Sequence, residues 1–150
     1  MTQASKSYLE LLREFQQRLE AARKPAAESR WILGHAAGLN DKQLAARLMQ
    51  PVPPDVEEAA WAMLNLRLTG YPIQLLLGET EFYGLKLRVE RGVLIPRPET
   101  EGLVEQALAN LPVEAETRVL NVGTGSGAIA LALKALRPKA TVWATEINPK

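Results

Sequence analysis

Apolar side chains recur at Tyr8, Leu11, Leu12, Phe15 and Leu19, an i, i+3, i+4, i+7, i+11 spacing that places them on one face of a helix. Glu10, Arg13, Glu14 and Arg18 take the opposite face. Pro25 predicts that this helix stops near Lys24. A second helix is expected from Ala26 to Ala37, closed by Gly38, and a shorter third from Asp41 to Met49. Pro51, Pro53 and Pro54 punctuate the chain. Beyond them Val56, Ala59, Ala60, Met63, Leu64, Leu66 and Leu68 predict a fourth helix over residues 55–69, with Asp55 as its cap and Gly70 as its terminator. The first seventy residues therefore read as a small helical bundle.

The period changes after Pro72. Leu85, Leu87 and Val89 alternate with Lys86 and Arg88, and Phe82-Tyr83-Gly84 precedes them as a strand and turn, which predicts a β-hairpin. Its second strand is expected to run on toward Val93-Leu94-Ile95. Leu103, Val104, Ala107, Leu108 and Leu111 then make a helical stripe over 99–111. A buried strand from Arg118 to Val122, a glycine turn, a helix from Ser126 to about Leu136 and a strand from Ala140 to Thr145 follow. The expected class is mixed α/β: a helical domain over 1–71, a β-hairpin linker over 72–95, and over 96–150 the opening βαβ unit of a doubly wound, Rossmann-like domain. Two strands and two helices cover their faces poorly, so the chain reads as an N-terminal portion of a longer protein.

Composition narrows the picture only at the edges. Among 150 residues, 47% are hydrophobic and 23% charged, an ordinary globular balance. The formal net charge of +1, with Lys and Arg interleaved among Asp and Glu, provides no basic stripe for nucleic acid. No apolar run approaches the roughly 18 residues of a membrane span, and Met1 to Ser7 carries no signal core. With no cysteine there are no disulfides or thiolate metal sites, and a cytoplasmic location is expected. His35 stands without ligand-spaced neighbours and reads as a packed or capping residue, so no metal site is expected. Trp31 and Trp61 read as core before interface.

Gly123, Gly125 and Gly127 lie where a strand turns sharply into a helix. Small residues there let a ligand approach the backbone, and the helix start offers free N–H groups to an acceptor. Two ligand classes fit. Gly123-x-Gly125-x-Gly127 matches a methyltransferase turn, and Gly123-x-Gly125-x-x-Ala128 matches the relaxed dinucleotide fingerprint of a nicotinamide enzyme. Glu146, at the end of the next strand, suits both, since a carboxylate there accepts from ribose hydroxyls. The plain alternative is a turn that serves tight packing and an acidic residue that ends a strand. Upstream, Arg97 is held between Pro96 and Pro98, with Glu99, Thr100 and Glu101 in a first helical turn, where acidic residues also complement the helix dipole.

Taken together, Ile95-Pro96-Arg97-Pro98-Glu99-Thr100-Glu101 and Asn121-Val122-Gly123-Thr124-Gly125-Ser126-Gly127 resemble the HemK/PrmC family, protein-glutamine methyltransferases that modify peptide chain release factors. The resemblance runs from about Gly70 onward. It implies S-adenosylmethionine as cofactor, held by Gly123, Thr124, Gly125, Ser126, Gly127 and Glu146, with Arg97, Glu99, Thr100, Glu101 and Asn121 lining the pocket. It also implies that the helical domain recognises the release factor and that the substrate is the glutamine of a Gly-Gly-Gln motif. Asn121 and Glu146 depart from the family, which usually carries Asp at both places. Asn121 keeps an acceptor but loses the charge facing a cationic cofactor.

The implied chemistry is attack of the glutamine amide nitrogen on the sulfonium methyl. Because an amide is a poor nucleophile, catalysis rests on positioning and on acceptors that orient its N–H groups. In the family an Asn-Pro-Pro-Tyr motif supplies these, and it is expected beyond Lys150. Asn148-Pro149 directly follows the second strand and is given no catalytic role. The chain by itself is expected to be inactive. A non-catalytic release-factor-binding module and a nicotinamide dinucleotide-binding protein are the competing readings.

Overall fold

Ser7 starts the first helix, α1 (Tyr8–Ala21), with a reciprocal cap. Its hydroxyl accepts the Glu10 N–H at 3.3 Å, while the Glu10 carboxylate accepts the Ser7 N–H at 2.7 Å. These bonds hold the Glu10 carboxyl below its ordinary range, the Ser7 backbone N–H contributing most and the Ser7 hydroxyl next. Tyr8, Leu11, Leu12, Phe15 and Leu19 are all buried, as their spacing requires. The structure, a computed structural model, describes residues 6–148; the polar start over 1–5 and the Pro149-Lys150 end lie outside the described residues.

The chain divides into two units between Leu77 and Gly78. In the first, α2 (Glu28–Ala37) ends at Gly38, whose φ of 63° closes the helix in the left-handed region. Helix α3 (Asp41–Ala46) stops three residues before the predicted Met49. The cause is a competing use of the backbone: the Leu48 and Gln50 carbonyls accept the Leu9 and Tyr8 N–H groups at 2.8 and 3.1 Å, filling the open donors of α1. Helix α4 (Pro54–Leu68) begins one residue early, with Pro54 in its first turn, so Asp55 lies inside the helix and does not cap it. A further short helix, α5 (Ile73–Leu77), falls where the hairpin segment was expected to begin, and its Ile73 is buried in the first core.

An ion pair that no sequence pattern announces ties α2 to α4. Arg67 donates from Nε and Nη2 to the two carboxylate oxygens of Glu28 at 2.6 and 3.0 Å, and from Nη1 to the Tyr71 carbonyl at 3.1 Å. Of the two predicted core tryptophans, Trp61 packs edge-on against Phe15 with ring centroids 4.8 Å apart. Trp31 instead leaves 47% of its surface exposed.

In the second unit β1 (Glu79–Phe82) and β2 (Leu85–Arg88) form an antiparallel hairpin. Tyr83 and Gly84 make its turn at φ of 51° and 73°, the sign a two-residue hairpin connection requires. Strand β2 does not continue to Ile95. Its last bond runs from the Val89 N–H to the Gly78 carbonyl, and β1 offers no partner further back. A 3₁₀ turn (Pro98–Thr100) leads into α6 (Glu101–Ala109), and β3 (Arg118–Val122), α7 (Ala128–Leu136) and β4 (Thr141–Thr145) complete the unit. Strands β3 and β4 pair in parallel, Val119 opposite Val142 and Asn121 opposite Ala144. Phe82 and Leu87 of the hairpin share a core with Val104 of α6 and with Ala128, Ala132 and Leu133 of α7. The architecture is mixed α/β, helices first and small strands after. Among the described residues no helix is long and apolar enough to cross a membrane.

Candidate functional site

Between β3 and α7 the chain turns through Gly123, Gly125 and Gly127 at φ of 69°, 57° and 80°. The Thr124 N–H donates to the Thr145 carbonyl at 2.9 Å, carrying the strand pairing one step into the turn, and the Gly127 N–H donates back to the Thr124 carbonyl at 2.9 Å. Gly123 is favoured by its backbone, which lies where side chains are strained, while a Cβ there would meet no atom within 4 Å. The open space beside it is a cleft of about 440 Å³ lined by Val122, Gly123, Thr145, Glu146 and Ile147. The Thr124 hydroxyl is buried in this turn with no hydrogen-bond partner.

Glu146 follows β4 and turns its carboxylate onto backbone. Oε2 accepts the Gly125 N–H at 2.7 Å, and Oε1 accepts the N–H groups of Ile147 at 2.8 Å and Asn148 at 3.0 Å. These three donors, Asn148 foremost, then Gly125, then Ile147, keep its pKa below the usual glutamate value. The glycine turn and the carboxylate are thus brought together by hydrogen bonding.

A second, smaller cleft of about 160 Å³ also borders the turn, lined by Arg88, Glu90, Arg91, Val93, Gly125 and Ser126. A Cβ on Gly125 would stand 3.7 Å from Val93 Cγ1, and the Asn148 side-chain amide donates to the Gly92 carbonyl at 3.4 Å. In the sequence residues 88–93 read as strand and its continuation, not as part of a site. Their only signal is the dense charge of Arg88, Glu90 and Arg91 between the hairpin and the proline segment.

The proline segment itself is placed differently from the turn. Arg97 and Glu99 are exposed and Thr100 is half-buried without capping the helix that follows. Among the described residues no hydrogen bond joins these three to the glycine turn. Glu101 points elsewhere: its Oε1 accepts the Tyr83 N–H of the hairpin turn at 2.8 Å. Asn121 is half-buried on the face of β3 that it shares with Val119, next to the turn. His35 sits exposed in the last turn of α2.

Comparison with known proteins shows what the chain is similar to. Residues 10–78 match the family model of the PrmC N-terminal domain. The release factor glutamine methyltransferase of Deinococcus radiodurans is 42% identical over 126 residues, which cover 84% of this chain and 45% of that protein. That of Moorella thermoacetica is 42% identical over 127 residues, 84% of this chain and 44% of its own length. The Escherichia coli K12 protein of the same name is 40% identical over 142 residues, 95% of this chain and 51% of its own length. The chain spans about half the length of the curated relatives it matches. Residues 10–78 are thus similar to the PrmC N-terminal domain, and most of the chain is similar to release factor glutamine methyltransferases at about 40% identity.

Proposed function

We propose that the protein containing this chain transfers a methyl group from S-adenosylmethionine to the side-chain amide of a release factor glutamine. The relatives carry that activity in their names. In this reading β3, α7 and β4 open a Rossmann-like methyltransferase domain, and the helical unit meets the release factor. The observation that carries the cofactor assignment is the glycine turn fastened to Glu146 beside an open cleft. The residues fit the group: Gly123 leaves room for a ligand, the Thr124 hydroxyl lacks a partner, and an ionised carboxylate stands at the end of the paired strand.

When bound, S-adenosylmethionine supplies an electrophilic methyl group. The chain's own part is binding. Gly123, Thr124, Gly125, Ser126 and Gly127 bring backbone close to the ligand, and Glu146 accepts from its ribose. Asn121 sits beside the turn as a neutral acceptor, whereas Arg97, Glu99, Thr100 and Glu101 border neither of the two clefts beside the turn, and Glu101 holds the hairpin turn in place. The groups that orient the glutamine amide are assigned to the Asn-Pro-Pro-Tyr motif of the whole protein, so no residue of this chain is given a catalytic role and the chain by itself is inactive. A cytoplasmic site of action agrees with a substrate that works in translation.

Calorimetric titration of the 150-residue chain with S-adenosylhomocysteine and, separately, with NAD tests the assignment. Saturable binding of the first alone is expected. It should be lost in Gly123→Asn, because Asn tolerates a left-handed backbone while its side chain occupies the cleft, and circular dichroism should be unchanged. Preference for NAD would move the turn to the dinucleotide class.

A further inference from the structure

From the hairpin turn the chain runs out along β2, reverses over residues 90–93 and comes back. The reversal is closed by the Val93 N–H on the Glu90 carbonyl at 3.4 Å, with Gly92 at a φ of 91°. This far end is the part that borders the glycine turn, since Arg88, Glu90, Arg91 and Val93 line the smaller cleft together with Gly125 and Ser126. The returning limb is thinly held. Among the described residues no hydrogen bond is made by residues 94–96, and Leu94 is 74% exposed. What the limb has instead is stiffness, because Pro96 and Pro98 fix their own φ and Arg97 between them is extended. It ends on Glu101, whose Oε1 accepts the Tyr83 N–H at 2.8 Å and so ties the limb to the turn from which the chain set out.

We infer that Glu101 is a positioning residue for the cofactor site: it lines neither cleft, and by fastening the returning limb to Tyr83 it closes residues 83–101 into a loop whose far end is set against the glycine turn. This rests on the cofactor reading above and deepens it. Tyr83 gives the bond its value. Its backbone lies at a φ of 51°, and because Phe82 pairs directly with Leu85, the Tyr83 N–H at the tip has no partner across the ladder. Glu101 supplies that partner. A carboxylate that served only the dipole of α6 would need no such contact. Loss of the bond loosens the near end of a limb that has no hydrogen bond along 94–96, so the residues at the far end lose their register on Gly125.

Titrating the 150-residue chain and three variants with S-adenosylhomocysteine reads the effect at the site, at a temperature where circular dichroism shows each one folded. Glu101→Ala should bind about fivefold or more weaker, and Glu101→Asp, which keeps the charge but falls a methylene short of Tyr83, should weaken alike. Glu101→Gln keeps an acceptor at the same reach without the charge, and should stay within about threefold of the parent chain. The opposite order, with Asp retained and Gln lost, would mean that the charge acts and the bond does not. Placement is read without ligand, from the amide proton shifts of Val93, Gly125 and Ser126. These should move in Glu101→Ala and Glu101→Asp and hold in Glu101→Gln. The inference is overturned if the parent chain and all three variants bind alike, if all three variants weaken equally, or if those amides stay in place in the alanine and aspartate variants. Failure of the parent chain to bind would overturn the cofactor reading and the positioning role with it, whereas binding by the parent that is indifferent to Glu101→Ala would sink the positioning role alone.

Discussion

Gly34 occupies the middle of α2, where glycine costs about 1 kcal/mol of helix stability relative to alanine. The structure shows what it serves: a Cβ there would lie 3.0 Å from the Leu39 carbonyl oxygen, and the Leu39 N–H already donates to the Gly34 carbonyl at 2.9 Å. Gly34→Ala should therefore destabilise the chain by about 1–3 kcal/mol in urea unfolding in spite of the propensity gain, since the Leu39 carbonyl would have to move while its own N–H is tied to Gly34. Greater stability in the variant would mean that residues 38–40 can shift. At Asn121 the argument concerns charge. If the pocket faces a sulfonium, Asn121→Asp should tighten S-adenosylmethionine several-fold more than the uncharged S-adenosylhomocysteine, a comparison that calorimetry makes directly. Glu146 has a pH signature. Its folded pKa is depressed, so its three bonds are present at and above neutral pH, persist below the ordinary glutamate range, and are lost only as pH falls through the lowered value. The Asn148, Gly125 and Ile147 amide shifts should titrate together at that acid pH, and titration at the ordinary glutamate value would show the bonds to be weak.

Between elements, the Glu28–Arg67 pair is the strongest test of what holds the helical unit together. Both side chains are largely shielded, at 4% and 14% exposure, and the fork is bidentate. Arg67→Met should cost about 3 kcal/mol because it leaves the buried Glu28 carboxylate without its cation, and the double variant Glu28→Met/Arg67→Met should recover much of that loss. A double variant no better than the single one would place the cost in the Tyr71 carbonyl contact instead. The buried face of helix α1 could be read from its sequence, because its stripe is a local feature, but the helix ends at Ala21, three residues before the expected Lys24. The end of α3 could not, since it is set by carbonyls recruited to α1 from Leu48 and Gln50. Helix α5 was hidden for a different reason: five residues are too few to show a period, and Ile73-Gln74-Leu75-Leu76-Leu77 reads equally as strand. Tyr83 illustrates the same limit in the hairpin. The Gly84 turn was legible, but the acceptor for the Tyr83 N–H comes from Glu101, eighteen residues on, so Glu101→Ala should speed exchange of that amide while amides within β1 and β2 keep their protection.

At the scale of the whole chain, the candidate site was legible where it is local and illegible where it depends on folding. The glycines and Glu146 are set by a strand–turn–helix–strand order that sequence displays, whereas the approach of Arg88, Arg91 and Val93 to the turn depends on how the chain returns after β2. The same parallel pair of strands carries a second consequence. Val119 packs into the core of the second unit, but Leu120, Val122 and Trp143, on the opposite face, are 61%, 76% and 50% exposed. Parallel sheets are ordinarily covered on both sides, so this face presents apolar surface to water in the 150-residue chain. It should make the chain self-associate, with a sedimentation coefficient that rises with concentration. Leu120→Thr/Val122→Thr should weaken that association several-fold while changing stability by no more than about 0.5 kcal/mol, because the replaced side chains bury little and threonine suits a strand. Acrylamide should quench Trp143 and Trp31 readily and Trp61 poorly, which supplies an independent reading of the same exposure. Association that survives the double substitution would place the adhesive surface elsewhere, and Trp143→Gln would then be expected to leave it unchanged as well.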